Sequence, residues 1–264
     1  MRDQAICLRV WEWSETSQTV ALFSRELGVV RAVAKGARRA DARFSGGLEV
    51  TARGEMVAIV KPSERSPDAL ATLTAWDLQE SFPAVRAALA AFHGAMYMVD
   101  VVHHAVRDSD PHPDLFDALV ECLRMLGPAD ASARSLLRFQ WETLDSTGYR
   151  PNLARPVAGP ENDSRERYFQ FSPAQGGLIG PAQDPGAGGT GPGPLWRVRS
   201  ETIEAIRAMA RTPWGSGAGP GVPDVAPDVV ARANRFLAWY LRTVLGAWPS
   251  SADGAFPGIE RVEP

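Results

Sequence analysis

Val29-Val30-Arg31-Ala32-Val33-Ala34-Lys35-Gly36-Ala37-Arg38-Arg39, running on through Asp41 to Arg43 and Phe44, begins with the period of a strand and ends as a basic loop. Successive side chains of a strand point to opposite faces. Val29, Arg31, Val33 and Lys35 therefore share one side, and Val30, Ala32 and Ala34 the other. Gly36 breaks the strand, and Arg38, Arg39 and Arg43 follow within a few residues, opposed only by Asp41. A glycine-hinged cationic loop beside a sheet is suited to holding a phosphate backbone. A solvated basic turn has the same composition, so the surrounding chain must separate the two readings.

Gln4–Trp13 reads as a strand with Ile6, Leu8 and Val10 on one face and Cys7, Arg9, Trp11 and Trp13 on the other. Ser14-Glu15-Thr16-Ser17 is a polar turn, and Thr19–Ser24 a second strand that turns through Arg25-Glu26-Leu27-Gly28. Beyond the basic loop, Leu48–Thr51, Glu55–Val60 and Leu70–Glu80 complete the β-rich part. Some five short strands in about 80 residues, followed by helices, predict an α+β chain whose first part is a small barrel. A five-stranded oligonucleotide-binding (OB) barrel has this size, and an SH3-like barrel has nearly the same periodicity.

The period then changes. Ser81 and Pro83 open a helix through Val85, Leu89, Phe92, Met96, Val99, His103 and Val106. A second helix starts near Pro113 and stops at Gly127-Pro128; a third runs from about Ser132 to Ser146. Tyr149 to Trp196 has no period, and Gly180 to Pro194 reads as a surface loop rich in Gly and Pro. Ser200–Arg211 and Asp228–Leu245 are further helices, and the tail beyond Trp248 is expected to be poorly ordered. The expected division is a barrel domain at 1–80, a helical domain at 81–250 with an irregular insertion at about 149–195, and a tail at 251–264.

The 264 residues carry a net charge of −3, so nucleic-acid binding must come from a local patch, and the basic loop is the densest one. Cys7 and Cys122 are too few for a disulfide framework or a cysteine-rich metal site. No apolar leader or spanning segment is read, and the expected location is the cytosol. No phosphate-loop, Gly-x-Ser-x-Gly or His-Glu-x-x-His pattern occurs. His93, His103, His104 and His112 fall close in sequence, but His103 and His104 are adjacent on one helix and point apart, so satisfied helix-face histidines are preferred to a metal site. Glu12/Glu15 and Asp108/Asp110 lie in turns that lack an apolar pocket for acid–base work. Trp11 and Trp13 read as core packing in preference to a base-stacking platform. No catalytic residue is assigned.

Ser14-Glu15-Thr16-Ser17, then Thr19-Val20-Ala21-Leu22-Phe23-Ser24-Arg25-Glu26-Leu27-Gly28, then Val30 through Arg39 closely resemble the N-terminal domain of the bacterial RecO family of DNA repair proteins. Leu78-Gln79-Glu80-Ser81-Phe82-Pro83-Ala84-Val85-Arg86 looks like the family's passage from barrel to helices. Gly148-Tyr149-Arg150-Pro151-Asn152-Leu153 and the Arg235–Gly246 helix sit where the family has similar segments. The resemblance implies an OB barrel followed by a helical domain with an inserted zinc-binding loop. It also implies binding to single- and double-stranded DNA, annealing of complementary strands, and assistance to RecA loading on single-stranded gaps. RecR is the implied partner, with RecF, RecA and the single-strand-binding protein tail beside it, and no membrane. In this sequence the slots of the family's two Cys-x-x-Cys pairs, near Pro156 and Gly159 and near Gly180 and Gln183, hold neither Cys nor His. Zinc binding is therefore not carried over, and no cofactor is expected. Packing of Tyr168, Phe169 and Phe171 or a flexible loop remain open for that segment.

On this reading Arg31, Lys35, Arg38, Arg39 and Arg43 neutralise phosphates, and Phe44 or Trp11/Trp13 stack on bases. An adaptor that docks RecR and single-strand-binding protein with little DNA binding of its own is the alternative, suggested by the acidic net charge and the absent zinc ligands. An RNA-directed OB module is a third.

Overall fold

The computed structural model describes residues 1–38, 43–59, 70–154, 168–179, 195–212 and 221–258. The N-terminal part holds β1 (Arg2–Glu12), β2 (Gln18–Ser24), β3 (Gly28–Ala34), β4 (Phe44–Ser45), β5 (Arg53–Ile59) and β6 (Ala71–Glu80). β1 pairs antiparallel with β2 and β5, β2 with β3, and β5 with β6. β3 then closes the ring by pairing in parallel with β6, from Ala32 opposite Ala71 to Ala34 opposite Leu73. The result is a closed five-stranded barrel of OB type, with the two-residue β4 added along β6. Leu48–Thr51, expected as a strand, is irregular and ends in a turn, because Gly46, Gly47 and Thr51 all adopt positive φ (75°, 76° and 75°) that no strand accommodates.

The alternation read in β3 is present: Val30, Ala32 and Ala34 enter the barrel interior, with Cys7, Leu22, Phe44, Met56 and Trp76. The faces of β1 differ from the expected ones. A bulge between Cys7 and Arg9 places Leu8 out of register, so Cys7 and Val10 face inward while Ile6, Leu8, Arg9 and Trp11 lie outside. The outer wall is itself buried where Ile6, Leu8, Phe23 and Val29 meet the helical core; the rings of Phe23 and Phe116 are 5.7 Å apart.

The chain leaves the barrel through Phe82, buried at φ 49°, into the short α1 (Ala84–Ala87), which breaks at Ala88 before α2 (Leu89–Ala105). α3 (Pro113–Arg124), α4 (Ala129–Ser146), α5 (Ser200–Arg211) and α6 (Pro227–Leu245) follow. A buried polar chain joins three of them: the Tyr97 hydroxyl donates to Gln140 (3.1 Å), and Gln140 donates to Asn234 (2.7 Å). Among helices, paired groups of this kind avoid the cost of burying an unmet amide.

The segment expected to lack structure between Tyr149 and Trp196 contains a small antiparallel sheet, β7 (Tyr168–Ser172), β8 (Gly177–Ile179) and β9 (Trp196–Arg199), in the order β8-β7-β9. Phe171 anchors it, fully buried, with Trp196, Phe236 and Tyr240 at centroid distances of 5.8, 4.9 and 5.3 Å. The four slots near Pro156, Gly159, Gly180 and Gln183 lie outside the described residues. The tail also differs from expectation as far as residue 258: α7 (Ala252–Ala255) forms, and Phe256 packs edge-on against Tyr97 at 5.0 Å.

Candidate nucleic-acid interface

Two lateral rows cross the outer face of the barrel. In one, Arg9, Ala21 and Arg31 are in register across β1, β2 and β3; in the next, Trp11, Thr19 and Val33. Lys35 extends the same side of β3 beyond the last pair. Trp11 is 44% exposed and Trp13 64%, so neither is the core residue that was expected. Position on a period-two strand did not separate these cases, because the outer wall is buried at one end and open at the other. The residue that could have told them apart is Arg9, whose charge marks where the buried end stops.

The loop after β3 is held by local bonds. Gly36 turns at φ 73°, its amide donates to the Ser17 hydroxyl (3.3 Å), and the Arg38 amide donates to the Thr16 carbonyl (3.2 Å). These bonds set residues 36–38 beside the β1–β2 turn. Arg31, Lys35 and Arg38 are all exposed here. Arg43 is exposed farther along, where its carbonyl accepts from the Trp76 amide (2.7 Å). Arg39 lies outside the described residues. Phe44 is only 6% exposed and fills the barrel interior opposite Trp76, so it has no free face for a base; Trp11 and Trp13 are the exposed rings of this wall.

The cations are partly committed. Arg31 donates from Nε to Asp108 (3.1 and 3.3 Å), and Arg38 pairs with Glu12 (2.5 Å). The Arg38 hydrogen bond and charge hold the Glu12 carboxyl below its usual range. Lys35 has no carboxylate partner among the described residues. Both arginine pairs are exposed, and such pairs contribute little to stability. A phosphate, which like a carboxylate accepts from a guanidinium bidentately, can therefore replace it at small cost.

The end of α2 borders this face. Gly28, at φ 72°, lets β3 approach the α2–α3 turn: an added Cβ would stand 2.4 Å from the Asp110 amide nitrogen. The Val29 amide donates to the Arg107 carbonyl (3.4 Å), which brings Asp108 to Arg31. His103, on the last turn of α2, lies 6.4 Å from Trp11 by ring centroids. Burial lowers the His103 pKa first, and the charges of Arg9, His104 and Arg31 lower it further against the opposing pull of Asp100. The ring is thus neutral near pH 7 and adds a flat surface beside Trp11 instead of a charge. His104 donates from Nδ1 to the Asp100 carbonyl (2.8 Å), and His112 meets Asp110 at 3.3 Å. No group of three or more metal-ligating side chains comes together among the described residues.

Exposed tryptophans flanked by displaceable cations on a barrel wall fit a single nucleic-acid strand, whose bases stack and whose phosphates neutralise charge. Residues 1–82 match the family described as recombination protein O N terminal, and residues 86–252 the one described as recombination protein O C terminal. The DNA repair protein RecO of Anaeromyxobacter sp. is 30% identical over 241 residues, 91% of this chain and 90% of that protein. That of Myxococcus xanthus is 29% identical over 252 residues, 95% of each chain. With the RecO of Rhodopirellula baltica the identity is 33% over 176 residues, 66% of this chain and 64% of that protein.

Proposed function

This chain belongs to the RecO family of DNA repair proteins, and on that premise we propose that it binds single-stranded DNA along the outer face of β1–β3 and anneals complementary strands. The observation that carries the reading is the adjacency of exposed Trp11 and Trp13 to Lys35 and Arg38 on one barrel wall. Duplex DNA reaches the same cations as the product of annealing. In the cell this activity assists RecA loading on gaps, with RecR and RecF as partners. The zinc of the family is absent from this reading, since Pro156, Gly159, Gly180 and Gln183 supply no thiolate or imidazole, and the Phe171 cluster anchors β7–β9 instead. No chemical step is assigned to the protein.

The test is the affinity of the full chain for a single-stranded oligonucleotide across a salt series. Wild type should lose affinity steeply with salt, and Lys35→Glu/Arg38→Glu should bind at least about tenfold more weakly with a shallower slope. Binding that ignores salt, or that survives the double reversal unchanged, sinks the assignment. A second reading has its own observation: Leu89 (71% exposed) borders an apolar groove of about 470 Å³ between α2, α4, α6 and α7, and Phe92 (46% exposed) lies beside it on α2. An adaptor would use that groove for a repair partner. Capture of RecR or of the single-strand-binding protein tail by a chain that neither binds nor anneals DNA would favour it.

A further inference from the structure

A second group of arginines lies on β9 and α6, and its chemistry differs from that of the barrel wall. Arg197 stands over the Tyr168 ring, 4.1 Å from the centroid, and Arg199 is 5.9 Å from the same ring. With Arg235 they border a cleft of about 250 Å³ whose floor is Phe236 and Trp239. Arg232 neutralises the acids nearby, pairing with Glu201 and with Asp228 (2.6 Å). Neither Arg197 nor Arg235 has an ion-pair partner among the described residues.

The pattern continues out of the cleft. Trp239 meets Trp248 at 5.7 Å, and Arg242 covers both rings at 4.7 and 5.5 Å. Just past Trp248, the hydroxyls of Ser250 (3.1 Å) and Ser251 (2.8 Å) donate to Asp100, which also holds Arg9 on the barrel wall. Guanidinium and ring thus alternate from β9 to Trp248, and the Ser250–Ser251 turn and Asp100 link that end to Arg9 at the edge of the barrel face.

An arginine stacked on a ring keeps its in-plane N–H groups available to an anion, and the ring beside it accepts a flat partner. We propose that this cleft holds a second segment of the bound single strand, with phosphates at Arg197 and Arg235 and a base against Tyr168, reached from the barrel along Arg242 and Trp248. The inference rests on the DNA-binding reading of the barrel face and extends it into the helical half. An acidic peptide would also meet the arginines, but the repeated ring–guanidinium alternation matches a series of bases and phosphates.

The test uses the full chain and two single-stranded oligonucleotides, one of about 8 nucleotides, within the reach of one OB barrel, and one of about 30, which extends beyond it. Arg197→Ala/Arg235→Ala should weaken the long oligonucleotide roughly tenfold, lower the salt slope by about 1.4 (two single-strand phosphate contacts), and leave the short one within about twofold. Arg197→Lys/Arg235→Lys should recover the slope without recovering all of the affinity, since lysine keeps the charge and loses the planar stack. Unchanged binding of the long oligonucleotide by the alanine pair overturns the proposal, and so does an equal loss for both lengths. Loss of binding to an acidic peptide with DNA binding intact assigns the cleft to a protein partner and overturns it too. Failure of the barrel reading shows separately, as a short oligonucleotide that Lys35→Glu/Arg38→Glu binds as well as wild type.

Discussion

Arg9 and Arg31 occupy the same lateral row of the barrel with β2 between them, and each reaches an aspartate, Asp100 within α2 and Asp108 just past its end. They differ in what surrounds the pair. Asp100 is 1% exposed and also accepts from the Ser251 amide (3.0 Å) and the two serine hydroxyls, so Arg9 joins barrel, α2 and the C-terminal turn in one buried knot. Asp108 and Arg31 are about half exposed, so their pair is open to solvent. The same two residue types therefore give a fixed joint in one place and an exchangeable contact in the other. Burial of the carboxylate, more than the arginine itself, decides which cation is available to a phosphate.

The most direct way to break this contrast is Asp100→Ala. It leaves Arg9 without its anion and the Ser250–Ser251 turn without its acceptor, and should cost about 3 kcal/mol. Urea unfolding at pH 7 measures this; a loss no larger than that of Asp108→Ala would abolish the distinction. A pH series sharpens it. Burial pushes the Asp100 carboxyl up, but the Ser251 hydroxyl and amide, Arg9 and His104 together bring it below its usual range. A depressed folded pKa contributes stability above the unfolded value of about 3.9, and that contribution is lost as pH falls through the folded value. The gap between wild type and Asp100→Asn should therefore narrow as pH falls from 5 toward 2. A gap that widens toward acid would reverse the assigned sign.

Gly28→Ala tests the exposed half from its backbone. The new Cβ would meet the Asp110 main chain in a left-handed conformation, and the expected cost is about 2 kcal/mol. Because Gly28 brings β3 to the α2–α3 turn, the variant should also part Arg31 from Asp108. Unchanged stability would show that the turn moves freely and that the joint is not set there.

Much of this was legible from residue order. The β3 alternation places Arg31 outward because Val30, Ala32 and Ala34 must fill a barrel, and nothing distant is needed to see it. Four features were not legible. The bulge at Leu8 exchanges the faces of β1, and a bulge costs no unusual residue. The sheet β7–β9 is built from strands of three to five residues held by Phe171 against α6, contacts that cross more than sixty positions. The carboxylate partners of Arg31 and Arg38 are 77 and 26 residues away, so a basic loop read from sequence looks more available than it is. The exposure of Trp11 and Trp13 has the same origin, since whether an outer wall is covered depends on where the helices stop.

The smallest effect is the one that bears most directly on function. Asp108→Asn removes the competing charge from Arg31 while keeping the side-chain volume and a hydrogen-bond acceptor. Stability should change by less than about 1 kcal/mol, because an exposed pair contributes little. Affinity for a single-stranded oligonucleotide should rise about two- to fivefold, the most that releasing such a pair can return, and the rise should shrink as salt screens the carboxylate in wild type. Anisotropy titrations of wild type and variant at low and high salt measure both parts. Weaker binding in Asp108→Asn would mean that the aspartate positions Arg31 for the strand instead of competing with it, and Arg31 would then belong with Arg9 as a fixed joint.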